Sequence, residues 1–244
     1  TSGESALVYA AMELQRGTAD VILAGGADIL PDFYFESLVR FRAVSPTDGG
    51  AEGARPFDMN RNGPVAGEGC GMVCLERLEH ALKRGAVPYC EVTGWGRSSA
   101  PSKTTGWPQD GQGVILAMKK ALKMACLSPS DIGTIQAAGN GGTNPDAIEA
   151  EALQDVFGIN SPGPIVSSVK GALGECFSSG GMRGAALALS IQEGKAPPTL
   201  GLVNPIAPLN FTTGRFKEAN IRHGLLNAVS HGGTNVSIIM SRVE

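Results

Sequence analysis

"IGTIQAAGNGGTNPDAIEAEALQDVF" occupies residues 132–157. Residues 132–138 are a short apolar run that reads as a buried strand. Gly139, Gly141 and Gly142 break the run, with Pro145 close behind. The stretch from Asp146 to Phe157 then reads as a helix. A strand, a glycine-rich turn and a helix in direct succession point to an α/β fold.

The same succession recurs on both sides. Residues 3–16 place Leu7, Ala10, Ala11 and Leu14 on one helical face, and Gly17 stops the helix. Residues 21–24 read as a strand ending in Gly25-Gly26, and Pro31 opens a helical stretch to Leu38. Residues 43–68 are irregular. Further strands are expected at 69–75, 90–96 and 165–169, and further helices at 76–84, 114–124 and 178–193. Residues 98–112 read as a polar loop, and 195–214 as a Pro-rich crossing segment. The last strands, 225–230 and 236–240, are joined across "HGGTN" at 231–235. The expectation is an α/β fold with a mainly parallel sheet, its strands buried on both faces under helices.

Composition narrows the function classes. The chain has 244 residues, 42% of them hydrophobic, which is enough to bury a core. A formal net charge of −3 gives no electrostatic basis for a nucleic-acid partner. No apolar run approaches the ~18 residues of a transmembrane helix, so no membrane role is expected. The five cysteines, Cys70, Cys74, Cys90, Cys126 and Cys176, are scattered through apolar segments. They read as buried, reduced thiols of a cytoplasmic protein. Cys70 and Cys74 are spaced like half a zinc site, but no second pair completes it, so no metal is expected.

Five blocks together resemble the β-ketoacyl synthase family, in family order and with family-like spacing. They are "ADVILAGGAD" (19–28), "RPFDMNRNGPVAGEGCGMVCLERLEHALKRGA" (55–86), "GNGGTNPDAIEAEAL" (139–153), "VSSVKGALGE" (166–175) and "HGGTNVSIIM" (231–240). The resemblance implies a thiolase-like layered αβαβα fold, of which this chain would hold only the C-terminal part. Residues 1–50 would end the N-terminal half, and residues 51–244 would form the C-terminal half.

Family synthases use a cysteine nucleophile and two histidines. In this chain the first histidine position, before "GNGGT", is Ala138, followed by Gly139 and Asn140. The second, in "KGALGE", is Glu175, with the family's lysine kept as Lys170. Val229 and His231 stand where the family places phenylalanines before its Gly-Gly turn, here Gly232 and Gly233. Decarboxylative condensation needs neutral donors for a developing enolate oxygen. The side chain of Ala138 donates nothing, and an ionised Glu175 would repel an enolate. The resemblance is therefore to the chain length factor, the non-elongating β subunit of type II polyketide or polyene synthases. It implies pairing with a catalytic ketosynthase and a share in shaping the acyl-chain tunnel. No cofactor is implied beyond acyl-phosphopantetheine delivered by an acyl carrier protein.

"TSG" at residues 1–3 matches the family segment that follows the nucleophile. A thiolase-type half lacking its preceding strands would leave sheet positions open, so an N-terminal fragment is expected as a partner. Two origins of the start at Thr1 fit: cleavage during maturation, which Thr1 could carry out itself, or adventitious proteolysis. An N-terminal threonine can also act as a nucleophile with its own amine as base. A repurposed acyltransferase or hydrolase using Thr1, with Glu175 as proton acceptor and Lys170 tuning it, is the alternative.

Smaller motifs have plainer readings. "DMNRNG" (58–63) starts like a calcium loop, but Gly69 stands at its twelfth position, so it reads as structural. "GGTN" (232–235) could cradle an oxyanion or only form a turn. His80 reads as solvated, and His223 has no evident partner. Asp146, Glu149 and Glu151 read as a structural acid cluster or a solvated face.

Overall fold

A computed structural model describes residues 1–103, 106–158 and 163–243. Residues 104–105 of the expected polar loop lie outside the described residues. The chain opens with α1 (Ser2–Arg16), β1 (Val21–Asp28), α2 (Asp32–Arg40), β2 (Gly69–Glu76) and α3 (Leu78–Lys83). It continues through β3 (Glu91–Ser99), α4 (Gln112–Ala125), β4 (Ile132–Gln136), α5 (Thr143–Phe157), β5 (Ile165–Ser167), α6 (Lys170–Leu173) and α7 (Gly180–Glu193). Two short strands, β6 (Lys195–Ala196) and β7 (Lys217–Glu218), precede β8 (His223–Val229) and β9 (Thr234–Ser241).

The main sheet has the order β3-β9-β8-β4-β5. The expected mainly parallel sheet is not what forms. β4 pairs in parallel with β5 and β8, whereas β9 pairs antiparallel with both β8 and β3. The reason is connection length. Only a tight turn separates β8 from β9, and a tight turn reverses the chain. β4 reaches its parallel neighbour β5 through α5, and the parallel pair β4/β8 is likewise separated in sequence by helical chain.

A second, two-stranded sheet pairs β1 antiparallel with β2, in the register Gly25↔Met72 and Gly26↔Gly71. This pair straddles the boundary expected at residue 50. Burial on both faces holds for the inner strands β8 and β9, but not here. Val21, Leu23 and Met72 are exposed on the outer face of the pair. The cysteines follow the same correction. Cys70 and Cys74, with the pleat of β2, point outward and are exposed, Cys126 is exposed, and Cys90 is half-buried. Cys176 alone is buried.

The elements stack in layers, as a thiolase-like fold requires. α1 and α7 lie between the two sheets, packing Leu7, Val8, Leu187 and Ile191 against Leu226, Val236 and Ile238. α4 and α5 cover the other face, with Val114, Met118 and Leu153 on Ile135, Leu225 and Ile239. The approach of α7 to its neighbours depends on missing side chains. A Cβ on Gly181 would lie 1.8 Å from the Gly71 carbonyl oxygen, and one on Gly180 would lie 2.2 Å from the Glu4 nitrogen. No helix among the described residues is long and apolar enough to cross a membrane.

Candidate functional site

The turn at residues 137–142 leaves β4 and enters α5. Its backbone is held by two buried carboxylates on the first turns of that helix. Asp146 accepts the N–H groups of Phe57 at 2.7 Å, Asn140 at 2.9 Å and Gly141 at 3.0 Å. Glu149 accepts the Ala138 N–H at 2.8 Å and the Asn227 amide at 2.6 Å. Of the two readings offered for the acid cluster, these contacts select the structural one for Asp146 and Glu149, while Glu151 is exposed. Burial pushes the Asp146 carboxyl up to about 6 against its three N–H donors. Burial also raises Glu149, opposed by the Ala138 N–H and the Asn227 amide.

Gly139 could be no other residue in this setting. A Cβ there would lie 2.3 Å from the Phe57 ring, which is itself fully buried. Phe57 adopts a left-handed φ of 60°, at which its N–H meets Asp146. Gly141, at φ 92°, gives its carbonyl to the Gly63 N–H at 2.9 Å.

Glu175 enters from the segment between α6 and α7. Its backbone is fixed by an N–H bond to the Val65 carbonyl at 2.7 Å and by the Gly67 N–H on its own carbonyl at 3.1 Å. Its carboxylate takes both contacts of the Lys170 ammonium, at 2.9 and 2.7 Å, and the Asn140 amide at 2.5 Å. The side chains of Lys170 and Glu175 are only 9% and 7% exposed, so this is a buried ion pair with a hydrogen-bonded third member. Asn140 is fixed in turn, because its Oδ1 accepts the Gly142 N–H at 2.8 Å. The Ser168 hydroxyl donates to the Gly139 carbonyl, which ties the Lys170 segment to the turn.

The expected site residues therefore divide. Ala138, Gly139, Asn140, Lys170 and Glu175 come together. Thr1 caps α1; its nitrogen lies 3.7 Å from Glu4 and close enough to Lys170 and Glu175 to feel the charge of both. Val229 packs on the edge of the core. Gly232 and Gly233, at φ 88° and 83°, form the β8–β9 turn, and exposed His231 meets Trp107 edge to face at 5.5 Å.

The residues that sequence reasoning missed are the buried polar ones. Arg183, on α7, is 2% exposed. It pairs with Glu4 of α1 at 2.6 Å and donates to the carbonyls of Gln136, at 3.2 Å, and Asn227. Burial alone would raise the Glu4 carboxyl, but the Arg183 guanidinium holds it below its usual range. One buried guanidinium thus joins the first turn of α1, the end of β4 and the end of β8. The available signal was an arginine and a glutamate on two otherwise apolar helix faces. The remaining motifs resolve simply. Asp58 accepts the N–H groups of Val203 and Asn204, both at 2.7 Å, so "DMNRNG" is a structural loop. His223 finds the Ser241 hydroxyl at 2.9 Å. His80, expected to be solvated, keeps 39% of its side chain exposed and also contacts Glu76.

Comparison with known proteins places these features. The pattern of the beta-ketoacyl synthase N-terminal domain matches residues 1–81, and that of the beta-ketoacyl synthase C-terminal domain matches residues 89–203. A mitochondrial 3-oxoacyl-[acyl-carrier-protein] synthase of Arabidopsis thaliana is 35% identical over 99% of this chain and 54% of its own. The 3-oxoacyl-[acyl-carrier-protein] synthase 2 of Rhizobium meliloti is 36% identical over 99% of this chain and 59% of its own. Among solved structures, the ishigamide ketosynthase/chain length factor superposes with a TM-score of 0.91 at 32% identity, over 100% of this chain and 59% of that one. AntDE:AntF, a type II PKS acyl-carrier protein in complex with its ketosynthase bound to the hexaketide, superposes at 0.92 with 28% identity, over 99% and 61%. The chain thus spans between half and two thirds of the relatives it matches.

Proposed function

Because the chain belongs to the β-ketoacyl synthase family, we propose that it serves as a non-elongating, chain-length-factor-like subunit of a type II polyketide or polyene synthase. It pairs with a catalytic ketosynthase and helps shape the acyl tunnel. An acyl carrier protein brings the chain as acyl-phosphopantetheine, and no other cofactor is needed.

One observation carries this reading. Both positions that would supply neutral donors to an enolate have lost them. Ala138 offers a methyl group, and the Glu175 carboxylate is tied to Lys170 and Asn140. A carboxylate tied up in that geometry presents acceptor oxygens and no donor to a developing oxyanion, and electrostatic stabilisation by such donors is usually the largest single contribution these sites make. The likeness to the ketosynthase/chain length factor structures supports the choice of partner.

The test is reconstitution. The protein carrying this chain is assayed with malonyl-loaded carrier protein, alone and with candidate ketosynthases. Stable co-purification with a ketosynthase and condensation only in its presence are expected. Robust condensation by the protein alone would overturn the reading.

A further inference from the structure

Asparagine followed by glycine occurs twice in this chain, at Asn62-Gly63 and at Asn140-Gly141. In such a pair the backbone nitrogen of the glycine can attack the asparagine side-chain carbonyl, because glycine has no Cβ to hinder the approach. The attack needs a base for the nitrogen's proton, a donor on the carbonyl oxygen, and an exit for the amide nitrogen as ammonia. The turn that enters α5 supplies all three at Asn140. The Gly141 N–H is held by Asp146 Oδ2 at 3.0 Å. The Asn140 Oδ1 accepts the Gly142 N–H at 2.8 Å, which folds the side chain back over its own backbone and polarises its carbonyl. The Asn140 Nδ2 donates to Glu175 Oε2 at 2.5 Å, and the Lys170 ammonium lies 2.7 Å from that same oxygen. Asn140 is half-buried, so water reaches it. Asn62 differs in the first of these needs. The Gly63 N–H goes to the neutral Gly141 carbonyl at 2.9 Å, which is no base. The Asn62 Oδ1 is held by the Ser45 hydroxyl at 2.7 Å, and its Nδ2 by Asp48 at 2.9 Å.

We propose that Asn140 is a self-modification site, converted in the folded protein to aspartate or isoaspartate with Asp146 as the base. The Gly141 nitrogen bonds to the Asn140 Cγ while Asp146 takes its proton. The Cγ–Nδ2 bond then breaks, and Nδ2 leaves as ammonia with a proton that Lys170 passes through Glu175 Oε2. One proton is taken and one is given, and solvent restores both groups. The product is a cyclic imide. Water opens it at either carbonyl and leaves a carboxylate where the amide stood. Burial, which lifts Asp146 to about 6, leaves it ionised at neutral pH and more basic than a solvated aspartate, as a general base requires. The consequence falls on the buried ion pair. Glu175 exchanges its amide donor for a second carboxylate, and Lys170 is left between two anions. The step rests on the contacts of the turn and stands apart from the chain-length-factor reading.

The experiment incubates the whole protein at neutral pH in heavy-oxygen water and follows the peptides that contain positions 62 and 140 by mass spectrometry. Opening of the imide places heavy oxygen in the new carboxylate. Position 140 is expected to convert about tenfold faster than position 62. A parallel sample is held unfolded in urea, where the turn and its base are gone. There the two positions are expected to convert at similar rates, and position 140 more slowly than in the folded protein. D146N keeps the shape of the side chain but offers no base, and is expected to slow position 140 by about tenfold. The comparison of folded with unfolded protein needs no variant, so it decides the matter even where D146N fails to fold. Conversion at position 140 no faster than at position 62, conversion no faster folded than unfolded, or an undiminished rate in folded D146N would each overturn the proposal.

Discussion

Two buried ion pairs lie near one another in this molecule, and they are built for different purposes. Arg183–Glu4, at 2.6 Å, lies between α1 and α7, with each side chain 2% exposed. Lys170–Glu175, at 2.7 Å, lies beside the turn that enters α5, with the side chains 9% and 7% exposed. The arginine spends its further donors on the backbone carbonyls of Gln136 and Asn227, at the ends of two strands. The lysine spends its contacts on Glu175 alone, and the third partner of that carboxylate is the Asn140 side chain. The first pair holds main chain in place. The second joins three side chains at the turn that enters α5, and contributes little to the frame around it. A planar fork suits the first task, and a compact point charge suits the second.

The largest expected effect tests the first half of that contrast. R183M would leave the Glu4 carboxylate buried without its partner and two strand-end carbonyls short of a donor. A loss of about 3–5 kcal/mol in urea unfolding is expected. The double variant R183M/E4L should recover most of it, because the uncompensated charge is then gone. A loss for R183M no larger than that of an ordinary surface substitution would break the comparison.

The second effect concerns the carboxylate frame on which the site rests. Burial pushes the Asp146 carboxyl up to about 6, above the 3.8 of a freely solvated aspartate. An acid whose folded value is raised contributes stability that is fully present below the unfolded value and is lost as pH rises through the folded one. A decline of about 3 kcal/mol is therefore expected from this group between pH 4 and 6.5. Unfolding followed across that window should show the decline in the unmodified protein, and D146N should lack that component. An identical pH slope in both would show that Asp146 is not the group responsible.

The legible and illegible parts of the structure divide along the same line. The glycine turn after β4 and the α/β class are legible in local pattern, because turn chemistry and apolar period are local properties; the layered fold and the interest of Ala138 and Glu175 come from the family resemblance. The sheet direction was misjudged because β9 reads as one more short apolar strand. Only the tight β8–β9 turn makes it antiparallel. The Arg183–Glu4 pair joins residues 179 positions apart. Each looks like an isolated charge on its own helix, so neither announces the other. The outward thiols of β2 were misplaced for a related reason. A run such as "GCGMVCLE" looks buried until one knows that a single face of its sheet is covered.

The smallest expected effect separates the two pairs most directly. K170M removes the cation from a carboxylate that retains the Asn140 amide at 2.5 Å. Some of the charge is still satisfied, and the site lies nearer the surface than Arg183 does. A cost of about 1–2 kcal/mol follows, below that of R183M. The double variant K170M/E175L should come close to the unmodified stability, since nothing in the backbone frame depends on either side chain's charge. A double-mutant cycle on thermal unfolding would give both numbers. A cost for K170M equal to that of R183M would mean that the Lys170–Glu175 pair is also part of the frame. Glu175 would then be a structural residue first, and any effect on chemistry a consequence.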